Sequence, residues 1–211
     1  PGLLAFGAFG QYVFVLPEHG VALAMTAAIR GSISRPDVGL PPLIWAHLPA
    51  ILEGADPAPE AAEALALRMQ GLQLRLAPDS QDNACLSAVD GVRHAVHPAV
   101  DGIHTVRVCF TEAGCRLDIE TATGVHSIHA GLGGACVEAS TSLPGAELHH
   151  GYAPERLVTV AAAGWTGPQT LVIRCQYVET AFRDDFVLVF DAQGLTLRRS
   201  VNVNGGATER P

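Results

Sequence analysis

Two apolar runs near the N-terminus constrain this chain more than any other feature. Gln11-Tyr12-Val13-Phe14-Val15-Leu16 and Val21-Ala22-Leu23-Ala24-Met25-Thr26 are almost continuously apolar, and Pro17-Glu18-His19-Gly20 between them is a turn signal. They predict two antiparallel strands that need cover on both faces, because a strand with one wet face would alternate apolar with polar residues. The glycine-punctuated segment Gly7-Ala8-Phe9-Gly10 leads into the first strand. No Met and no signal-type segment precedes Pro1, so the expectation is a chain that begins inside a domain whose remaining parts lie upstream.

Downstream, Leu43-Ile44-Trp45-Ala46-His47-Leu48-Pro49-Ala50-Ile51-Leu52 predicts a helix. Ile44, Trp45, Leu48, Ile51 and Leu52 fall on one face. Pro41-Pro42 suits its start, and Pro49 is expected to kink or shorten it. Glu53-Gly54-Ala55-Asp56-Pro57-Ala58-Pro59 interrupts the pattern and reads as a linker. A second, alanine-rich helix is expected over 60–72, with Leu65, Met69 and Leu72 as a stripe and acidic residues in its first turn. From about Val92 short β-rich runs recur between turn residues, the texture of an all-β barrel or sandwich. Strands are expected near 92–97, 103–111, 115–121, 124–130, 135–140, 156–163, 169–179, 183–191 and 195–203. Glu112-Ala113-Gly114, Ala122-Thr123-Gly124 and Asp191-Ala192-Gln193-Gly194 supply turns, and Gly164-Trp165-Thr166-Gly167-Pro168 a longer loop. The chain thus divides into three parts: residues 1–53, a linker with one helix over 54–83, and an antiparallel β domain over 84–211.

Charge and composition remove several functions. A net charge of −8 with no basic run argues against nucleic-acid binding, which needs clustered cations on phosphates. No apolar run approaches the ~20 residues of a membrane span. Five cysteines, an odd number, do not make a disulfide framework in a chain of this size and read as buried thiols of a reducing, cytoplasmic compartment. Cys109 and Cys115 flank a turn and are expected on opposite faces of a hairpin. All 13 basic residues are Arg, with no Lys at all. The Ala, Gly and Arg bias has the look of a GC-rich coding background.

The segment Gly7-Ala8-Phe9-Gly10-Gln11-Tyr12-Val13-Phe14-Val15-Leu16-Pro17-Glu18-His19 resembles the strand–turn–strand near the end of the catalytic domain in the penicillin-recognising serine hydrolases, the group of class C β-lactamases, D-aminopeptidases and related esterases. The helix after it and the tail Arg198–Pro211 are similar to the corresponding segments of relatives carrying an added C-terminal β domain. The resemblance implies an α+β fold: terminal antiparallel strands and C-terminal helix of a β-lactamase-like catalytic domain, followed by a lipocalin-like barrel or sandwich. It implies acyl transfer on a small-molecule ester, amide or peptide-like substrate, with no cofactor. A Ser in Ser-x-x-Lys attacks, its Lys and a Tyr manage protons, and backbone N–H groups hold the oxyanion. Without Lys, the Ser-x-x-Lys must lie upstream, because guanidinium stays protonated and cannot serve as the base. Alignment on Gly7–Gly10 puts Gly2-Leu3-Leu4 where the family has a Lys-Thr-Gly or His-Thr-Gly triplet. The oxyanion or substrate-binding backbone then falls on Ala5, Phe6 and Gly7. Loss of the cation points to an ester or amide hydrolase over a true β-lactamase. The chain would be incomplete and inactive alone, its β domain shaping access to the active site or mediating homo-oligomer formation.

The residues by themselves leave a second reading open, a non-catalytic barrel module holding an apolar ligand. Under it, Ala5 to Gly10 are only a tight strand entry. Paired histidines at 94 and 97 and at 126 and 129 suggest a metal, with His104, His149 and His150 nearby. A spacing of three puts strand side chains on opposite faces, however, so no metal site is expected. Asp184-Asp185 beside Arg183 reads as solvated charge. It fails as a glycosidase pair, since neighbours in a strand point apart. Gly131-Leu132-Gly133-Gly134 is expected to lead into a strand and so makes no phosphate loop. Trp45 and Trp165 read as core and loop anchors.

Overall fold

The computed structural model describes residues 2–30, 40–54, 58–73, 76, 78, 85–146 and 154–210. Two compact units emerge, Pro1–Arg75 and Leu76–Pro211.

The first unit contains a three-stranded antiparallel sheet of β1 (Leu3–Gly7), β2 (Gln11–Leu16) and β3 (Val21–Met25), with β2 central. Between β2 and β3, Pro17–His19 forms one 3₁₀ turn, and Gly20 at φ 64° closes it by donating its N–H to the Pro17 carbonyl at 3.1 Å. A side chain there would meet strain, which is why the turn ends on glycine. Tyr12 and Phe14 are 2 % exposed, and their alternation along β2 puts them on one face of the sheet. On that face Trp45, from helix α1 (Leu40–Leu52), meets the Phe14 ring edge-on with centroids 5.4 Å apart.

Strands take 51 % of the structure and helices 18 %, in a three-stranded sheet and a nearly closed barrel. That corrects the α+β expectation: the first unit is not the helix-capped end of a β-lactamase-like domain. The expected apolar stripe of α1 is only partly used, since Leu48 is buried while Ile51 is 70 % exposed. In α2 (Pro59–Gln70) none of the residues is buried, and Leu65, Met69 and the following Leu72 face solvent. Periodicity marks a helix, but nothing among the described residues covers these faces.

The second unit opens with a single helical turn, α3 (Leu86–Val89), and then forms a sheet of ten strands. These are β4 (Arg93–Val100), β5 (Ile103–Phe110), β6 (Gly114–Thr121), β7 (Gly124–Gly131), β8 (Val137–Thr141), β9 (Leu157–Gly167), β10 (Thr170–Tyr177), β11 (Arg183–Asp191), β12 (Gly194–Val201) and the two-residue β13 (Glu209–Arg210). The order is β4-β5-β6-β7-β9-β10-β11-β12-β13, with β8 paired to β9. Strand pairs are antiparallel except at one parallel bridge, Gly131 to Ala162. β9 runs through Trp165 to Gly167, so the expected loop at 164–168 is displaced to the turn after Gly167, and Trp165 is 2 % exposed. Gly194 at φ 129° and the Asp101-Gly102 turn at φ 51° and 73° set tight reversals. Positive values at both central positions, as in Asp101-Gly102, match the twist of the flanking strands.

Inward rows are filled. Ile128, Leu171, Ile173, Phe186 and Leu188 are 0–1 % exposed, and the small Ala161 and Ala163 stand beside the larger Cys175 and Ile173 of β10. Alternation of small and large side chains is how a small barrel packs its lumen. One end is aromatic: Trp165 lies 6.1 Å from Phe190 and 6.0 Å from Phe110, and Phe190 lies 5.4 Å from the His94 ring. The opposite end is ionic. There Arg199 donates from Nε to Asp184 at 3.0 Å, from Nη1 to Asp101 at 2.9 Å and from Nη2 to the Pro144 carbonyl at 2.6 Å. A further Nη2 bond reaches Asp184, which also accepts from Tyr177 Oη at 3.0 Å and the Ala146 amide at 3.1 Å. The Arg199 guanidinium lies 5.3 Å over the Phe186 ring.

The expectation of solvated charge at 184–185 is corrected by this cluster. Asp185 pairs with Arg183, but Asp184 is 0 % exposed. Arg199→Leu leaves the Asp184 carboxylate buried without its cation, and an expected loss of ~3–5 kcal/mol follows from breaking a buried pair at one side. Urea unfolding checks it: the double variant Asp184→Leu/Arg199→Leu is expected to lose less than the sum of the single variants.

Candidate functional site

Ala5, Phe6 and Gly7 stand together on β1, opposite Val13, Tyr12 and Gln11 of β2. β1 is an edge strand, and every residue in it is exposed. Along its outer side no strand pairs with it among the described residues, so alternate residues aim both N–H and C=O away from the sheet. Side chains alternate as well. Leu4 and Phe6 share the face of Tyr12 and Phe14, whereas Leu3, Ala5 and Gly7 share the other with Gln11, Val13 and Val15.

That second face carries a shallow trough of about 420 Å³ over Ala5, Gly7 and Ala24, walled by Gln11, Val13 and Thr26. Its floor is low because the residues forming it have one methyl or none. The trough can bind an apolar or extended group and offer main-chain donors at its edge, but among its lining side chains it holds no carboxylate, imidazole or amine to act as acid or base. The expected pair of neighbouring oxyanion donors meets a geometric limit. On a regular strand the N–H groups of Ala5 and Phe6 point to opposite sides, so the free edge offers donors two residues apart rather than adjacent ones.

Titratable groups concentrate in the barrel. Asp118 is 7 % exposed on the outer face of β6, where Ser127 Oγ donates to it at 2.8 Å, Arg107 Nη2 at 2.9 Å and Arg116 Nη2 at 3.2 Å. Burial pushes its carboxyl up, but the Ser127, Arg107 and Arg116 bonds outweigh it and hold the pKa below the ordinary carboxylate value. His126, 7 % exposed, is tied at Nδ1 to Ser142 Oγ at 2.9 Å and at Nε2 to Thr121 Oγ1 at 3.0 Å. His129 is exposed on the other face, and His94 and His97 divide in the same way, as a spacing of three on a strand requires. His149 and His150 lie outside the described residues. Among the described residues no three His, Cys, Asp or Glu side chains gather as metal ligands.

Thiol and phenol chemistry is suppressed in the core. Burial pushes the Cys115 and Cys175 thiols up to about 12, so neither is a thiolate nucleophile at neutral pH. Cys115 is buried inward while Cys109 faces out beside Arg116, on opposite faces of their hairpin. Burial, and then the neighbouring Asp184 charge, raises Tyr177 well above the ordinary phenol value. Tyr177 is thus a hydrogen-bond donor and not a base. Sequence reasoning misses this cluster, although one signal is present: Arg199 stands in the inward row Leu195-Leu197-Arg199-Val201, where a charge needs a buried partner.

Asp118 yields a pH test. Its folded pKa is depressed, so its contribution to stability is present above the unfolded value of about 3.9 and is lost as pH falls through the folded value. Thermal midpoints of the parent protein and Asp118→Asn are expected to differ at neutral pH, with the variant lower, and to converge in strong acid.

No family model matches the chain, and no curated protein or solved structure matches it either.

Proposed function

We propose that this chain is the C-terminal part of a β-lactamase-related serine hydrolase, whose Ser-x-x-Lys nucleophile precedes it and which transfers acyl groups from small ester, amide or peptide-like substrates. The observation that carries the reading is the bare first-unit sheet. Leu3 is 70 % exposed and Val13 44 %, on a face they share with Ala5, Gly7, Gln11, Val15, Ala22 and Ala24. Among the described residues nothing covers this largely apolar face or pairs with the strand edge beside it, and such a surface is an interface in search of its partner. The Gly7–His19 resemblance supplies the kind of protein that partner belongs to. With no Lys in the chain, the base, like the nucleophile, is expected from outside these residues.

In this role Ala5, Phe6 and Gly7 contribute main chain only. β1 offers donors to the substrate, while nucleophile and proton carrier come from the preceding part. The barrel carries no assembled nucleophile–base–carboxylate set among its described residues, and its interior is packed with side chains. A module for an apolar ligand draws no support from a lumen so filled.

The purified chain is expected to release no p-nitrophenol from p-nitrophenyl esters and to leave nitrocefin intact. The same chain expressed with its preceding coding sequence is expected to hydrolyse an ester and to take a serine-directed phosphonate label on a Ser-x-x-Lys serine. Turnover by the chain alone, or a preceding sequence with neither Ser-x-x-Lys nor Tyr-x-Asn, overturns the proposal.

A further inference from the structure

The strand pairings of the barrel run from β4 round to β12, and between those two strands no ladder closes the ring. β4 runs beside β12 without pairing to it: among the described residues β4 pairs only with β5, and β12 only with β11 and, at Arg199 and Ser200, β13. The pairing of β4 to β5 is itself interrupted between Ala95 and Val100, where Pro98 cannot donate. At the ionic end the seam is pinned by Arg199, which reaches from β12 to Asp101 in the β4–β5 turn. At the aromatic end it is open to solvent through a groove of about 390 Å³ lined by His94, His97, Asp191, Leu195 and Thr196.

His94 sits at that open end. It shares the inward row with Val96, pairs across β5 with the buried Val106, and turns its ring edge to Phe190, which in turn touches Trp165. His94 Nε2 is buried without a hydrogen-bond partner. The charged and titratable groups around it are Arg93 and His97 on its own strand, Arg107 on β5 across from Arg93, and Asp191 at the end of β11. From β12 come only the uncharged Gly194, Leu195 and Thr196, and Trp165 contributes no charge.

We propose that this seam is an acid-opened gate, in which protonation of His94 separates β4 from β12 at the aromatic end and exposes the Phe190–Trp165 interior. An imidazolium has two N–H donors to satisfy, and His94 Nε2 faces apolar side chains where no acceptor waits. Water can satisfy it only if the seam parts, and no ladder hydrogen bonds resist the parting there. Arg199 keeps the far end closed, so the movement is a hinge and not unfolding. Burial lowers the His94 pKa, which fixes the sign: the closed state is complete above the unperturbed value of about 6.5 and is lost as pH falls below it. The gate is independent of where the hydrolase nucleophile lies.

Trp165 is the reporter, read in a Trp45→Phe background so that it is the one tryptophan left. Acrylamide quenching of its emission is expected to rise severalfold from about pH 7.5 to about pH 5, the interval across which an imidazole gains its proton. Far-ultraviolet dichroism, which reports the strands themselves, is expected to hold across the same interval. With His94→Gln added, which keeps a polar side chain but cannot titrate, the rise is expected to vanish. Flat quenching in the first protein, or an equal rise with His94→Gln, overturns the proposal. Should His94→Gln fail to fold, His94→Asn serves instead, since it too is polar and cannot titrate, and a quenching rise that persists in it overturns the gate.

Discussion

The barrel depends on one guanidinium. Arg199 is 2 % exposed, yet it bonds to Asp184 on the neighbouring strand, to Asp101 across the unpaired seam, and to the main chain at Pro144. Each bond solves a different problem. Asp184 neutralises the charge inside the lumen, Asp101 holds two strands that share no ladder, and the Pro144 carbonyl fixes the segment leaving β8 over the barrel end. A buried ion pair is often no more stabilising than apolar residues of the same shape. Here it also bridges elements that main-chain hydrogen bonds leave apart, which apolar side chains of equal volume do less directionally.

The two ends of the barrel are chemically unlike as a result. At the Arg199 end Tyr177, Asp184, Ala146 and the guanidinium satisfy one another. At the Trp165 end, by contrast, the indole Nε1 and His94 Nε2 are both buried without partners. The first end is a lock, and the second is where the sheet has least to lose by moving. Between them the lumen is solid with Ile, Leu and Phe.

Much of the barrel is legible in the chain because its turns are local chemistry. The nine expected β runs each coincide with a strand to within a few residues, since glycines such as Gly124 and Gly194 take positive φ where the strands reverse. Trp165 reads as a loop residue because Gly164 and Gly167 flank it, yet Gly164 is small for a tertiary reason: a Cβ there meets Pro78 at 2.8 Å. Asp184 reads as solvated because its immediate neighbours are charged, while its true partners are 15 residues away at Arg199 and 38 at Ala146. Non-local contacts of that kind leave no periodic mark. The α+β expectation fails on a related point. Stripes such as Leu65-Met69-Leu72 show what a helix can bury, not whether anything in the same chain buries it. Ala5, Phe6 and Gly7 do lie together as one edge segment, but strand alternation, a purely geometric matter, separates their donors.

Asp101 carries two obligations at once. Its backbone sits at φ 51° in the turn, a conformation that few side chains other than Asp and Asn adopt readily, and its carboxylate accepts the hydrogen bond from Arg199 Nη1. Asparagine meets the first requirement and not the charge; glutamate carries the charge and fits the turn badly. Drift at position 101 is thereby confined almost to a single residue unless position 199 changes in step, and related barrels should record these two sites as a correlated pair although they stand 98 positions apart in the chain.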